Sequence, residues 1–421
     1  MDKANPVSKL FNQAKSRFDL TEEADRQSLA DLTEAMLALP GALLSEVQQA
    51  AREESAPLEF RIAAKLAESR RAMLRIDQPL RVGVVFAMWG EQRRLLPKSD
   101  DNSNGEDSLR VKLEQLDWVC SGTPVDWTLY AVDDGCPHCS GKIAAEIAAE
   151  HVLGSRARIL HLAEHLPAKE GALRALASAE DSRKGGAVLL GAQQALADAV
   201  DVLVYTDADN SVHLGQLGLL LEPYVSRGIK VVLGNRKHPD AVLVKQEGRW
   251  GIGIKVLRHM QRMLGCEIFS RGILDTQAAF KLYSREVLER ILAKPTVFDF
   301  SFDTDWILAA IAEDEPFETV PFAFIDSFAE SASITQGPMT TWETLLRGLL
   351  RALRERGVAH NEAMGRVLDE EIHSAADLEA LIHHLPRELE EADPAQLGDP
   401  AVMSPEALQA WIGQRKLEAL S

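Results

Sequence analysis

Apolar residues recur at three- and four-residue spacing through residues 1 to about 78, as in "DLTEEADRQSLADLTEAMLALPGALLSEVQQAAREE", with Pro40-Gly41 as a break. That period predicts amphipathic helices. From "PLRVGVVFAMWGE" onward the pattern changes to short β-branched runs alternating with helical stretches. The strand candidates are "RVGVVFAM", "VDWTLYAVDD", "ARILHLA", "VDVLVYTDAD" and "IKVVLGNR", and patterns such as "GGAVLLGAQQALADA" and "LGQLGLLLEPYVSRG" separate several of them. Such an order predicts an α/β layer with a mainly parallel, Rossmann-like sheet, in which ligands bind beyond the carboxyl ends of the strands. After about residue 357 the chain turns acidic and helical again. The expected organisation is a helical N-terminal extension over 1–78, an α/β domain over 79–356 and an acidic helical C-terminal extension over 357–421.

Bulk composition narrows the partners. Of 421 residues, 46% are hydrophobic and 26% charged, and the net charge is −18. That balance suits an ordinary globular protein and opposes a broad nucleic-acid surface or adhesion to anionic lipid. No apolar run reaches the roughly 18–20 residues of a membrane span, and the N-terminus lacks a secretory h-region. Four cysteines (Cys120, Cys136, Cys139, Cys266) are too few for a disulfide framework. The expectation is a cytoplasmic protein without a transmembrane span.

Acids gather at the predicted strand ends. Asp207 and Asp209 end the run "VDVLVYTDAD", and carboxylates at i and i+2 on an extended segment point the same way. Like charges held close repel unless a cation joins them, and Mg²⁺ or Mn²⁺ suits one or two carboxylates plus substrate phosphate oxygens. An Asx turn capping the helix near Leu214 would use the same letters. Two neighbours favour the metal: Asp133 and Asp134 end "YAVDDGCPHCSG", and Glu91 follows the first strand in "FAMWGEQRRL".

The ordered set "VDDG", "RKGGAVLLGAQQAL", "VYTDADNSVH", "VVLGNRKH", "RGILDTQAAFKLYSREVLERI" and "FSFDTDWILAA" resembles the GT-A family 2 glycosyltransferases, over roughly residues 80 to 350. Within that family the likeness is to the dolichyl-phosphate glucose and polyprenyl-phosphate mannose synthase branch. The resemblance implies a GT-A fold and inverting transfer from a nucleotide-diphospho-sugar, with UDP preferred. It implies that Asp207 and Asp209 hold the metal, that Asp133 recognises the base with Asp134 beside it, and that Glu91 stands for the acid after the first strand. Lys184 and Arg236 would lie near the donor, Gln277, Phe280 and Lys281 would line the sugar and acceptor side, and Asp303 or Asp305 would be the catalytic base.

Two departures bear on the acceptor. Ala279 replaces the glycine usual before the Phe of that motif, and "AESASITQG" (329–337) lacks the lysine that helps hold a lipid phosphate in the synthase branch. A soluble hydroxyl or phosphate acceptor is therefore expected. The alternatives are a peripheral polyprenyl-phosphate glycosyltransferase, a nucleotidyltransferase and a non-catalytic sugar-nucleotide binder. "CPHC" (136–139) reads as loop decoration, because one CxxC outside a thioredoxin or zinc context is weak. "TWETLLRGLLRALRER" (341–356) reads as a core-facing helix and "GIGIK" (251–255) as a weak phosphate-loop imitation. The helical extensions read as packing elements or a surface for homo-oligomers.

Overall fold

The computed structural model describes residues 5–245, 252–326 and 338–420. Nine strands are found among them: β1 (Leu80–Met88), β2 (Val125–Asp133), β3 (Ala157–His161), β4 (Val202–Thr206), β5 (Val231–Asn235), β6 (Val242–Val244), β7 (Phe280–Ser284), β8 (Phe317–Pro321) and β9 (Ala323–Ile325). Seven form one sheet in the order β3-β2-β1-β4-β7-β5-β8, and β6 pairs with β9 in a second. Within the large sheet only β7 runs against its neighbours β4 and β5. The expected mainly parallel α/β architecture is present and holds all five anticipated strands, β3 at one edge.

Side chains alternate across this sheet as the period of two requires. Val85, Leu203, Tyr205, Leu233 and Tyr283 face one apolar core. Val84, Phe86, Val204, Val232, Phe280 and Leu282 face the other. Helices Gly185–Ala197 and Phe302–Ala312 cover the first face, and Ser108–Cys120 and Leu217–Arg227 the second. Phe302–Ala312 is buried nearly all round, as the unbroken apolar run from Trp306 to Ala312 demands.

Direction places the site. The ends of β1 and β2 are level, with Met88 opposite Asp133. Because β7 is antiparallel, its first residue Phe280 lies opposite Thr206 at the end of β4. The segment preceding β7, Asp275 to Gln277, therefore arrives at the same edge as the carboxyl ends of the parallel strands. A sequence motif that comes before a strand is thus brought beside motifs that follow strands.

Both extensions pack as helices. The N-terminal ones, including Glu23–Leu37 and Leu58–Leu74, build a third apolar cluster against Val242, Ala323 and Ile325. Ser69 ties Leu58–Leu74 to the sheet layer, donating to the Gly215 carbonyl at 2.7 Å and accepting from Gly218 N–H at 2.8 Å. The C-terminal helices, including Glu362–Glu371, Ala375–Ile382 and Pro405–Leu420, share the first core instead. The helix Pro338–Arg356 faces that core too, as expected of the 341–356 stripe. No helix among the described residues is long and apolar enough to cross a membrane.

Candidate active site

The β4 end carries the two acids on a turn that other elements hold in place. Asp207 is ion-paired with Lys184 Nζ, while Asp209 Oδ1 accepts from Ser211 N–H at 3.1 Å. Directly after them the chain is fixed from outside. Glu106 accepts Asn210 N–H at 2.8 Å and its carbonyl accepts Asn210 Nδ2 at 2.9 Å. Lys112 Nζ donates to the Asp209 carbonyl and to Asn210 Oδ1, the latter at 3.3 Å. Arg94 bridges Glu106, at 3.0 Å, and Glu91. None of Arg94, Glu106 and Lys112 stood out in the sequence, because Glu106 closes what looks like a loop tip and Lys112 lies inside a helix. Glu106 and Lys112 reach the β4 end across about one hundred residues, and Arg94 acts through Glu106, a relation invisible to local pattern.

Charge at this end is finely balanced. Burial pushes Asp207 up, but the Lys184 ammonium, with Arg236 and Lys112 behind it, holds the carboxyl below its ordinary range. Asp209 is pushed up to about 6 by burial and by the charges of Asp207 and Glu106. Burial also lifts Glu91 to about 7, against the pull of Arg94. A divalent cation would relieve this crowding. Among the described residues no group of three or more His, Cys, Asp and Glu converges, so a cation here would need further ligands from outside the chain. Two carboxylates suit a hard cation that takes its remaining ligands from a diphosphate and water.

The expected base-recognition acids are committed within their turns. Asp133 accepts Cys136 N–H at 2.8 Å and Gly141 N–H at 2.6 Å, shaping the turn before helix Ser140–Glu150. Asp134 accepts Ser182 Oγ–H at 2.6 Å and Lys184 N–H at 2.7 Å, so it positions the lysine loop. Burial lifts its carboxyl to about 6 despite those donors. Trp89, partly exposed just beyond β1, packs edge-on to His138 at 6.1 Å and offers the apolar ring at this end. Cys136 and Cys139 are free thiols, and Cys136 Sγ accepts Gly90 N–H at 3.1 Å.

Just beyond β5, Arg236 makes three bonds to Asp275, from N at 2.9 Å and from Nε and Nη2 at 2.8 Å, and lies 5.0 Å over the Phe324 ring. Lys237 is pushed down to about 8 by burial, with Arg262, Arg258 and Arg236 repelling its proton against the pull of Asp275. Lys245 is shifted down for similar reasons, burial first and Arg236 next. These cations form one positive patch with Asp275 as its main internal counter-charge.

Asp303 lies under this patch. It accepts Tyr205 O–H at 3.1 Å and Gln277 Nε2–H at 3.1 Å, with Lys281 Nζ 3.6 Å away. Burial raises its carboxyl above the ordinary range, opposed by Lys281 and Lys184.

Three expectations are corrected by the packing. Asp305 is fully buried and bound to Thr296 Oγ1 at 2.5 Å and to Arg356 Nε and Nη2 at 2.5 and 2.9 Å, so its carboxylate is spent on structure. Phe280 is fully buried in the core, 5.0 Å from the Phe322 ring, so its side chain is spent on packing. Lys281, also fully buried, spends its ammonium on Tyr205 Oη and the Thr276 and Ala278 carbonyls, supporting the site from beneath. Of that trio, Gln277 hydrogen-bonds Asp303 at 3.1 Å and Lys281 pairs with it from the buried side at 3.6 Å. The segment 329–337 lies outside the described residues, as does Gly251 of "GIGIK".

Residues 112–292 match the family model described as glycosyl transferase family 2. That stretch, which spans much of the mainly parallel sheet, is similar to the glycosyltransferases of that family. A polyprenol monophosphomannose synthase from Mycolicibacterium smegmatis is 28% identical over 236 residues, 55% of this chain and 80% of the relative. Among solved structures, a glucosyl-3-phosphoglycerate synthase from Mycobacterium tuberculosis aligns with TM-score 0.44 and 15% identity over 70% of this chain and 85% of that one. A mannosyl-3-phosphoglycerate synthase from Rubrobacter xylanophilus aligns at 0.45 and 15%, over 70% and 79%.

Proposed function

With that similarity to family 2 glycosyltransferases as the premise, we propose that this enzyme transfers a sugar from a nucleotide-diphospho-sugar, UDP-linked, to a soluble acceptor bearing an anionic group, in a metal-dependent inverting displacement. The observation that carries the reading is the meeting of Asp207, Asp209, Lys184, Arg236 and Asp303 at the carboxyl end of the sheet, where Lys184 feels all three acids and Arg236 feels Asp207 and Asp303. Asp207 and Asp209 would hold a Mg²⁺ or Mn²⁺ ion, which neutralises charge on the departing diphosphate. Lys184 adds a second positive charge on that side. Trp89 offers a stacking surface to the base, beside the turn that Asp133 shapes.

The acceptor would dock its anion on Arg236, Lys237 and Lys245. Their crowding is costly without an anionic partner, and Asp275 supplies one negative charge where several cations meet. Asp303, with its raised affinity for protons, is placed to take the hydroxyl proton of the acceptor. A phosphate nucleophile, already anionic, would dispense with that step. The positive patch also suits a polyprenyl phosphate, and the similarity to a polyprenol monophosphomannose synthase favours keeping this as the second reading.

Calorimetric titration of UDP, GDP, CDP and TDP, with and without Mn²⁺, tests the donor half on wild type and Asp209→Ala. Metal-dependent binding of UDP, abolished in the variant, is expected. No binding of any nucleotide would end the reading. Transfer assays with phosphorylated hydroxy-acids against polyprenyl phosphate then separate the two acceptors.

A further inference from the structure

Asp207 is not open to a metal ion in this conformation, because the Lys184 ammonium already sits against its carboxylate. Nor is the lysine placed there by chance of a loose side chain. Its backbone is at φ +79° and ψ −47°, a region that costs a residue with a Cβ energy and persists only when surroundings impose it. The surroundings here are explicit. Its N–H donates to Asp134 Oδ2 at 2.7 Å, and Ser182 fixes the other oxygen of Asp134 at 2.6 Å. Immediately after it, a Cβ on Gly185 would come within 2.6 Å of the Phe298 backbone, so the loop is packed against the 298–299 segment with no room to back away. Lys184 is pinned at its backbone, and its flexible end is what can move.

We propose that Lys184 is a place-holder at the metal site: its ammonium neutralises Asp207 in the metal-free protein and passes to the diphosphate oxygens when the metal–diphosphate complex arrives. The inference rests on the donor reading above, in which Asp207 and Asp209 receive that complex. It adds an order of events and a coupling. A divalent ion alone must evict a part-buried ammonium from Asp207 and gains two carboxylates in return. With a diphosphate present, the evicted ammonium has a new anionic partner within the reach of its own side chain. Metal and nucleotide therefore each tighten the binding of the other, by the same factor, as linkage requires.

The test titrates Mn²⁺ alone, UDP alone and UDP with saturating Mn²⁺ into the full-length protein, with electron paramagnetic resonance counting bound Mn²⁺. Wild type should bind Mn²⁺ weakly and at least about fivefold more tightly with UDP present. Lys184→Met should bind Mn²⁺ alone at least about fivefold more tightly than wild type, bind UDP–Mn²⁺ less tightly, and lose most of the coupling. Lys184→Arg, which keeps the charge, should keep the coupling. If a folded Lys184→Met binds Mn²⁺ alone no better than wild type, the place-holder role is wrong, even while metal-dependent UDP binding by wild type leaves the donor reading intact. If wild type itself binds no UDP with metal, the donor reading falls first. Should Lys184→Met fail to fold by its thermal melt, Lys184→Gln carries the same comparison.

Discussion

Asp303 and Asp305 stand two positions apart in the first turn of one helix, yet their surroundings give them opposite roles. Asp303 meets Tyr205 and Gln277 on the side of the cleft, whereas Asp305 is clamped by Arg356, fifty-one residues later in the chain. Asp303→Asn should lower kcat with a hydroxyl acceptor by about 10²- to 10⁴-fold while leaving the thermal midpoint near that of wild type. Asp305→Asn should leave a buried guanidinium without its charge partner and destabilise the fold by roughly 3–5 kcal/mol in urea titrations. The reverse pattern, with Asp305→Asn stable but inactive, would refute the assignment. Sequence alone left the two acids equivalent, since the letters "FDTDW" describe a helix start with two carboxylates and say nothing of Arg356.

A single element can carry a pH signature, and the 3₁₀ turn Leu214–Gln216 leading into helix Leu217–Arg227 does so. Its cap is His213, whose Nδ1 accepts Gly215 N–H at 3.0 Å. Burial, with the Lys112 charge nearby, pushes this imidazole down to about 3 from its ordinary 6.5. The folded state thus prefers the neutral ring. Its contribution is complete above pH 6.5 and is lost as pH falls towards 3, by up to about 1.4 kcal/mol per pH unit. In urea unfolding at pH 7 and pH 4.5, wild type should lose about 2–3 kcal/mol more than His213→Asn, whose amide can still cap the turn. Equal losses would show that His213 titrates normally. The strand pattern around such elements was legible where apolar runs were long: β1, β2, β4 and β5 are buried across their lengths. It failed for β6 and β9, which are three residues each, and for β8, whose sequence mixes polar and apolar residues at the sheet edge. It also missed β7, hidden inside a motif noticed for its chemistry. Of the site, the acids at strand ends were visible, because strand-end carboxylates break an apolar run; the residues that hold them were not, because Arg94, Glu106 and Lys112 act across distance.

At the scale of the molecule the two extensions differ in how they are joined. The C-terminal one grips the helix Ile254–Leu264, which borders the positive patch through Arg258 and Arg262. Gly253 N–H donates to the Ile382 carbonyl at 2.8 Å, Lys255 Nζ to the Leu389 carbonyl at 3.4 Å, and buried His259 joins the Met403 carbonyl and Gly398 N–H at 2.9 and 2.8 Å. Ile372, Leu378, Leu381, Leu389, Leu408 and Ile412 enter the same core as Val256, Leu257 and Met260. At roughly 1.5–3 kcal/mol for each buried aliphatic side chain, losing these six would remove about 9–18 kcal/mol, as much as a domain's whole stability. A chain ending at Gly357 should therefore show no cooperative unfolding transition and should aggregate. Removal of residues 1–51 takes away mainly a separate apolar cluster and spares Leu58–Leu74 with its Ser69 bonds. That shorter chain should keep a cooperative, lower thermal transition and its metal-dependent UDP binding. A C-terminally shortened chain that unfolds cooperatively and binds UDP would mean that the acidic helices are an attachment. Their loss together with folding would make them a wall of the acceptor side, holding in place the helix that carries its cations.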